Sequence, residues 1–364
     1  MRQKTYSVLR AILLAAAALH LAACASAPTS TPTSPIGGTP LSASNTAASG
    51  PLLGSWWDSK NKGLHTVYGV LGAASQGAPT FSDGTYSGAA ACVRKSIALL
   101  TTPSGSLFSA TLPQGEPIAI GSNANPKATI AFSPSCIASL VYAPGSSAAL
   151  LVRGLPSNPI VAGVTLPAGT SSAAIADSGS ILAAVSVADG TTAIQILTSG
   201  TNAAQPVTIL SKFGGMAFVP GTDTAILADA SANTVIEASH LTSNISLASL
   251  ASGTDGVSSP TAVAISADGR LAAVANAKGS SVLRLDLSGQ SAPVKTVCRC
   301  SPAELVPLAG NFAFRLNEPG SGTVWAFDGS GSQPRVLFIP SDQAVSAQAV
   351  SAGQAASAGH GGSR

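Results

Sequence analysis

Between Ala128 and Pro340 the chain repeats one pattern five times: an apolar alternating strand, a tight turn, a second apolar strand, a polar loop and a third strand. The clearest copy, Thr261 to Leu287, reads TAVAISADGRLAAVANAKGSSVLRLDL. Anchored on the small apolar residue near the end of each first strand, the copies fall at Ala131, Ala174, Ala217, Ala264 and Val306, 42 to 47 residues apart. Units of that length, each with several short strands, point to an all-β propeller rather than a helical solenoid. Turn chemistry agrees, because Pro134, Asp177-Ser178-Gly179, Pro220-Gly221 and Asp268-Gly269 all fall between a first and a second strand, where Gly and Pro punctuate hairpins. A ring of metal ligands is the alternative use of these aspartates, but their turn position argues against it.

Strand signals begin at Pro51. Ser55 to Asp58, Leu64 to Val70 and Ala78 to Phe81 resemble second, third and fourth strands, so this first unit is expected to lack its first strand. Units follow at Gly88 to Leu112, 128–167, 171–210, 213–250, 258–298 and 304–340. Seven four-stranded blades are therefore expected, the incomplete one closed by Gln343 to Val350, with six blades as the alternative. The propeller is assigned to 51–350 and a disordered tail to 351–364.

The start of the chain carries an address. Arg2, Lys4 and Arg10 precede an apolar stretch, Ala11 to Ala23, broken only by His20. That stretch is too short to span a bilayer, and the pattern is that of a secretory signal peptide covering 1–23. Leu21-Ala22-Ala23-Cys24 resembles the lipobox of bacterial lipoproteins. The resemblance implies that Cys24 becomes the lipidated first residue, carrying a diacylglycerol and an N-linked acyl chain such as palmitate. More than one chain is what firm anchoring requires. Ala rather than Asp at position 25 implies the outer membrane. Residues 24–50 are Ser, Thr, Pro, Ala and Gly with no charge, and read as a disordered tether with a reach of roughly 25 to 31 Å.

Removing Arg2, Lys4 and Arg10 leaves a formally neutral chain in which only 9% of the full sequence is charged and 4% aromatic. A neutral surface offers no footprint for a phosphate backbone, so nucleic acid is excluded as a partner, and a monomer is expected. With Cys24 lipidated, Cys92, Cys136, Cys298 and Cys300 remain, which permits two disulfides in three connectivities. Cys92 and Cys136 stand one repeat apart, in similar places of adjacent blades, and can pair if their Cβ atoms approach to about 4 Å. Cys298-Arg299-Cys300 reads as a local disulfide or two free thiols, with a redox or metal role as the alternative.

Catalytic signatures are missing: there is no GxSxG elbow, HExxH, P-loop or GxGxxG opening a helix. His65, His240 and His360 are scattered between a strand, a loop and the tail. Trp56-Trp57 could form a sugar platform, but adjacent strand residues point to opposite faces, so one is expected to pack and the other to lie exposed.

SADGRLAAVAN followed by SVLRLDL resembles the repeat of YVTN, NHL and gluconolactonase-like bacterial propellers. Lactonases of these families hold a central divalent ion, which takes a Glu and several Asn or Asp oxygens. Of Glu116, Glu237, Glu304 and Glu318, only Glu304 lies near the start of a first strand, and Asn311 or Asp255 would have to join it. The expectation is a non-catalytic scaffold without a cofactor, anchored in the cell envelope by its N-terminal lipid and binding a protein or polymer. A metal-dependent lactonase-like hydrolase is the alternative.

Overall fold

The computed structural model describes residues 50–201, 203–317 and 323–340. Cys24, the tether, Glu318, the proposed closing segment Gln343 to Val350, His360 and the tail lie outside the described residues. The chain forms a seven-bladed β-propeller of antiparallel sheets. The innermost strands of six blades are β4 (Gly88–Cys92), β8 (Thr129–Phe132), β12 (Thr170–Ile175), β16 (Phe213–Phe218), β20 (Pro260–Ile265) and β24 (Val306–Pro307), and blade 1 opens with β1 (Leu52–Asp58). Six blades have four strands in sequence order, ending outside at β7 (Ile118–Gly121), β11 (Ile160–Thr165), β15 (Ala204–Leu210), β19 (Ser246–Ala251), β23 (Val294–Val297) and β27 (Arg335–Ile339). The innermost strands run the same way, so the ring has a face where they start and a face where they end.

The hairpin after β20 shows how one copy of the repeat folds. Ser266 Oγ accepts the N–H groups of Arg270 and Leu271 and donates to Asp268 Oδ1 at 2.6 Å, while Gly269 adopts φ +73°. The turn returns the chain as β21 (Leu271–Asn276), paired with β20 from Ile265 back to Ala262 and, past a bulge, at Pro260. Second strands such as β5 (Ile97–Thr101), β9 (Ala138–Tyr142) and β17 (Ala225–Asp229) are buried along their whole length. They are sandwiched between neighbouring blades, which is why they read as continuous apolar runs rather than alternations. Each fully buried Leu in these layers, such as Leu140 or Leu227, stabilises by roughly 1.5–3 kcal/mol.

The abundance of small residues has a local cause at Gly215. Its φ is +124°, and a Cβ there would meet Val263 N at 2.8 Å and Ala262 Cα at 2.9 Å. Glycine lets β16 lie backbone to backbone against β20.

Blade 1 has three described strands, in the order β1-β2-β3, with β2 at Gly63–Val70 and β3 at Ala73–Gln76. β1 is buried like a second strand and runs alongside the second strand of blade 7, with Leu53 level with Ala309 and Trp56 level with Arg315. The outer strand of the blade is Ala73–Gln76 rather than Ala78 to Phe81; Thr80 exchanges both backbone hydrogen bonds with Leu64, at 2.8 and 2.9 Å, and continues the line of β3. The proposed first strand of this blade, Gln343 to Val350, lies outside the described residues. Ala309 N donates to Leu53 O at 2.6 Å. Leu53, Trp56 and Val67 of blade 1 share a core with Leu308, Ala313, Val324, Ala326 and Ile339 of blade 7.

Candidate functional site: the central channel

The five residues that anchored the repeat, Ala131, Ala174, Ala217, Ala264 and Val306, all line one cavity of 840 Å³ on the ring axis. Innermost strands carry small side chains at this position, and the bore stays open because of them. Ala, Ile and Val side chains of the innermost strands alternate in the wall with polar groups, among them Asp58, Lys60, Arg94, Lys127, Glu304 and Arg315.

At the start face Arg315, the last residue of β25 (Ala313–Arg315), pairs in register with Val306. Its Nη2 lies 3.0 Å from Glu304 Oε1, and its guanidinium carbon stands 5.6 Å from the centre of the Trp56 ring. An ion pair and a cation–π contact hold it in a largely dry site. Glu304 is thus bound to a cation of its own chain. Asn311 and Asp255, its candidate co-ligands, are elsewhere: Asn311 bonds Asp268 in the turn of the neighbouring blade, and Asp255 caps a short helical turn through Ser252. Among the described residues, no three His, Cys, Asp or Glu side chains come together as a metal-ligand set.

At the end face the turns between first and second strands are joined by hydrogen bonds. Asp177 in blade 4 accepts from the N–H and hydroxyl of Ser135 in blade 3, both at 2.8 Å, and from Gly221 N in blade 5 at 3.1 Å. Burial raises the Asp177 pKa, but the hydrogen bonds from Ser135, Ser133 and Gly221 outweigh it and hold the carboxyl below its usual range. Arg94 Nη1 donates to Pro134 O at 3.1 Å. Burial lowers the Arg94 pKa, and the charge of Asp177 opposes that. Asp268 and Asn311 make the same kind of link between blades 6 and 7. The turn aspartates join blades.

Cys92, at the end of β4, is disulfide-bonded to Cys136 in the next turn, with Cα atoms 6.3 Å apart. Cys298 and Cys300 form a second disulfide between the outer strand of blade 6 and the inner strand of blade 7.

Both tryptophans pack, contrary to expectation. Trp56 is 4% exposed against blade 7, and Trp57 is partly buried against Leu64, Ala98 and Leu112 toward blade 2. Alternation sends them to opposite faces of the blade, but in a propeller both faces are covered. His65 stacks on Trp56 at 6.2 Å and lies 3.7 Å from Asp58 Oδ2. The hydroxyl on the paired strand, Ser55, donates to the His65 carbonyl at 2.9 Å. His240 is exposed in a loop.

Two donors remain. Arg94 Nε and Trp57 Nε1 are buried without a hydrogen-bond partner, and both side chains line the channel. The short helical turn that carries Arg94, Val93–Lys95, packs beside β1. The arrangement can hold an acceptor against the apolar part of the wall.

No family model matches the sequence, and no curated protein matches it. Solved structures do resemble it. A functionally unknown protein from Desulfotomaculum acetoxidans DSM 771 is 14% identical with a TM-score of 0.52, over 80% of this chain and 100% of that one. Virginiamycin B lyase from Staphylococcus aureus is 11% identical with a TM-score of 0.48, over 68% of this chain and 81% of that one. A nidogen/laminin complex gives 15%, 0.43, 68% and 93% in the same order. At such identities the likeness shows the β-propeller fold alone.

Proposed function

We propose that this chain is a non-catalytic binding scaffold of the bacterial cell envelope, anchored through a lipid on Cys24 and engaging a protein or polymer partner at the channel mouth. The observation that carries this reading is the division of labour among its polar groups. The carboxylates of the channel and its rims are engaged within the chain: Glu304 with Arg315, Asp58 with Lys60 and Asn61, Asp177 with two neighbouring turns. The bore combines an apolar wall of Ala, Ile and Val side chains with exposed Lys60 and Lys127 and with two buried N–H donors, Arg94 Nε and Trp57 Nε1, that have no partner. Such a surface suits an apolar segment that presents a carbonyl or carboxylate. Anchoring rests on Leu21-Ala22-Ala23-Cys24 and the uncharged tether.

The test is photo-crosslinking in the native envelope from a probe at Lys60, beside the channel mouth. One partner band, weakened by Arg94→Met and by Trp57→Phe, is the expected result. A stoichiometric divalent ion removable by chelator, with lactone hydrolysis lost on its removal, would overturn the reading in favour of the hydrolase. Anchoring is tested separately by Cys24→Ser, which should release the domain from the membrane fraction.

A further inference from the structure

We infer that Cys298–Cys300 is a redox-active disulfide that accepts electrons from a protein or peptide dithiol by thiol–disulfide exchange. The two cysteines are two positions apart, whereas Cys92 and Cys136 are 44 apart. Closing so short a loop restrains the unfolded chain far less, so folding protects this bond less against reduction. Nor does it join blades: it lies within the connection from β23 to β24.

Access and charge distinguish its two sulfurs. Cys298 is 6% exposed, held by its N–H to Ser280 O at 2.8 Å. Cys300 is half-buried at the edge of the blade 6 and 7 core. Arg299, between the two cysteines, is exposed, as are Lys278 and Lys295. The loop of Lys278 receives the Cys298 hydrogen bond, and Lys295 reaches the same loop at Gly279. The nearby acid, Asp255, is engaged with Ser252. Cationic surroundings stabilise a thiolate, making the sulfur a better leaving group and the disulfide more oxidising.

In the first step a substrate thiolate attacks Cys300 Sγ. The S–S bond breaks, and its electron pair passes to Cys298 Sγ, which takes a proton from water. That sulfur lies 3.3 Å from the Cys300 carbonyl oxygen, where the new thiol donates a hydrogen bond. In the second step the other substrate thiolate attacks its own sulfur in the mixed disulfide and releases Cys300 as thiolate. The substrate is oxidised by two electrons to a disulfide, and the Cys298/Cys300 pair is reduced to a dithiol.

The experiment equilibrates the oxidised full chain with graded ratios of reduced to oxidised dithiothreitol, then traps thiols with a maleimide and assigns them by mass. Cys298–Cys300 should be half-reduced at a ratio at least about tenfold lower than Cys92–Cys136. The oxidised protein should also convert one equivalent of a reduced dithiol peptide to its disulfide. Cys298→Ala with Cys300→Ala should abolish the transfer and Cys92→Ala with Cys136→Ala should retain it. If the latter variant does not fold, the mass assignment on the unaltered protein decides. Equal midpoints, a reversed order, or transfer persisting without Cys298 and Cys300 would overturn the inference.

Discussion

Blades 2 and 3 are joined differently from blades 7 and 1. The first seam carries the Cys92–Cys136 bridge and the Arg94 to Pro134 hydrogen bond. Among the described residues, the second carries no bridge, and relies on one backbone hydrogen bond, a shared apolar core and Arg315 over Trp56. Two solutions to one geometric problem follow from where each seam lies in the chain. Consecutive blades are tied by their own connection, and a disulfide adds to that. The closing seam joins residues more than 250 positions apart and depends on the fit of side chains.

Removing the covalent tie should have the largest effect. Cys92→Ala with Cys136→Ala is expected to lower stability by roughly 4 kcal/mol in the chain-entropy model. Urea unfolding measures it, and an effect below 1 kcal/mol would mean that the bridge merely decorates a seam already fixed. Next comes Gly54→Val at the closing seam, where a Cβ would lie 2.6 Å from Leu308 Cδ2. Overpacking should cost about 1–3 kcal/mol, and Leu308→Ala in the same chain should recover part of it. A double-mutant cycle without coupling would show that closure does not turn on this contact.

Asp177→Asn should cost about 1 kcal/mol at pH 7, since the amide keeps one acceptor but loses the charge. The carboxyl pKa is depressed in the folded chain, so its contribution is complete above the ordinary carboxylate range and disappears as pH falls through the depressed value. The gap between the two proteins should accordingly narrow in acid, and a constant gap from pH 7 to pH 2 would rule out the charge as the link. The smallest effect is expected from the far C-terminus, where ending the chain at Ala352 should move the melting temperature by no more than about 2 °C. Ending it at Pro340 removes Gln343 to Val350 as well and should lower the melting temperature further. Equal melting temperatures for the two truncations would show that this segment does not close blade 1.

The repeat was legible because it is written in local chemistry. Strands from Gly88 to Pro340 are bounded by turns whose Asp, Gly and Pro residues act on their own backbone, and those turns reappear in the fold. Blade 1 was legible in part: LLGSWWD is bulky and buried as a second strand is, whereas its outer strand falls at Ala73–Gln76 and only Thr80 of Ala78 to Phe81 bridges to β2. The channel was less visible still. Arg315 sits in an apolar strand, NFAFRLN, and a charge there could have drawn attention, but its partners Glu304 and Trp56 meet it only through the ring. Asp177 was recognisable as a turn residue; its bonds to Ser135 and Gly221 lie one blade away on either side and leave no trace in local spacing.

That β1 packs against blade 7 has a consequence for the order of assembly. During synthesis or export from the N-terminus, Leu53 and Trp56 emerge first, and their partners Leu308 and Ala313 emerge last. Blade 1 must wait with one apolar flank uncovered while five further blades are made, the interval in which long-range β folds are exposed to aggregation. Blades 2 and 3 can be locked early by a bridge between close neighbours, so a partly built arc acquires a rigid segment long before the circle exists.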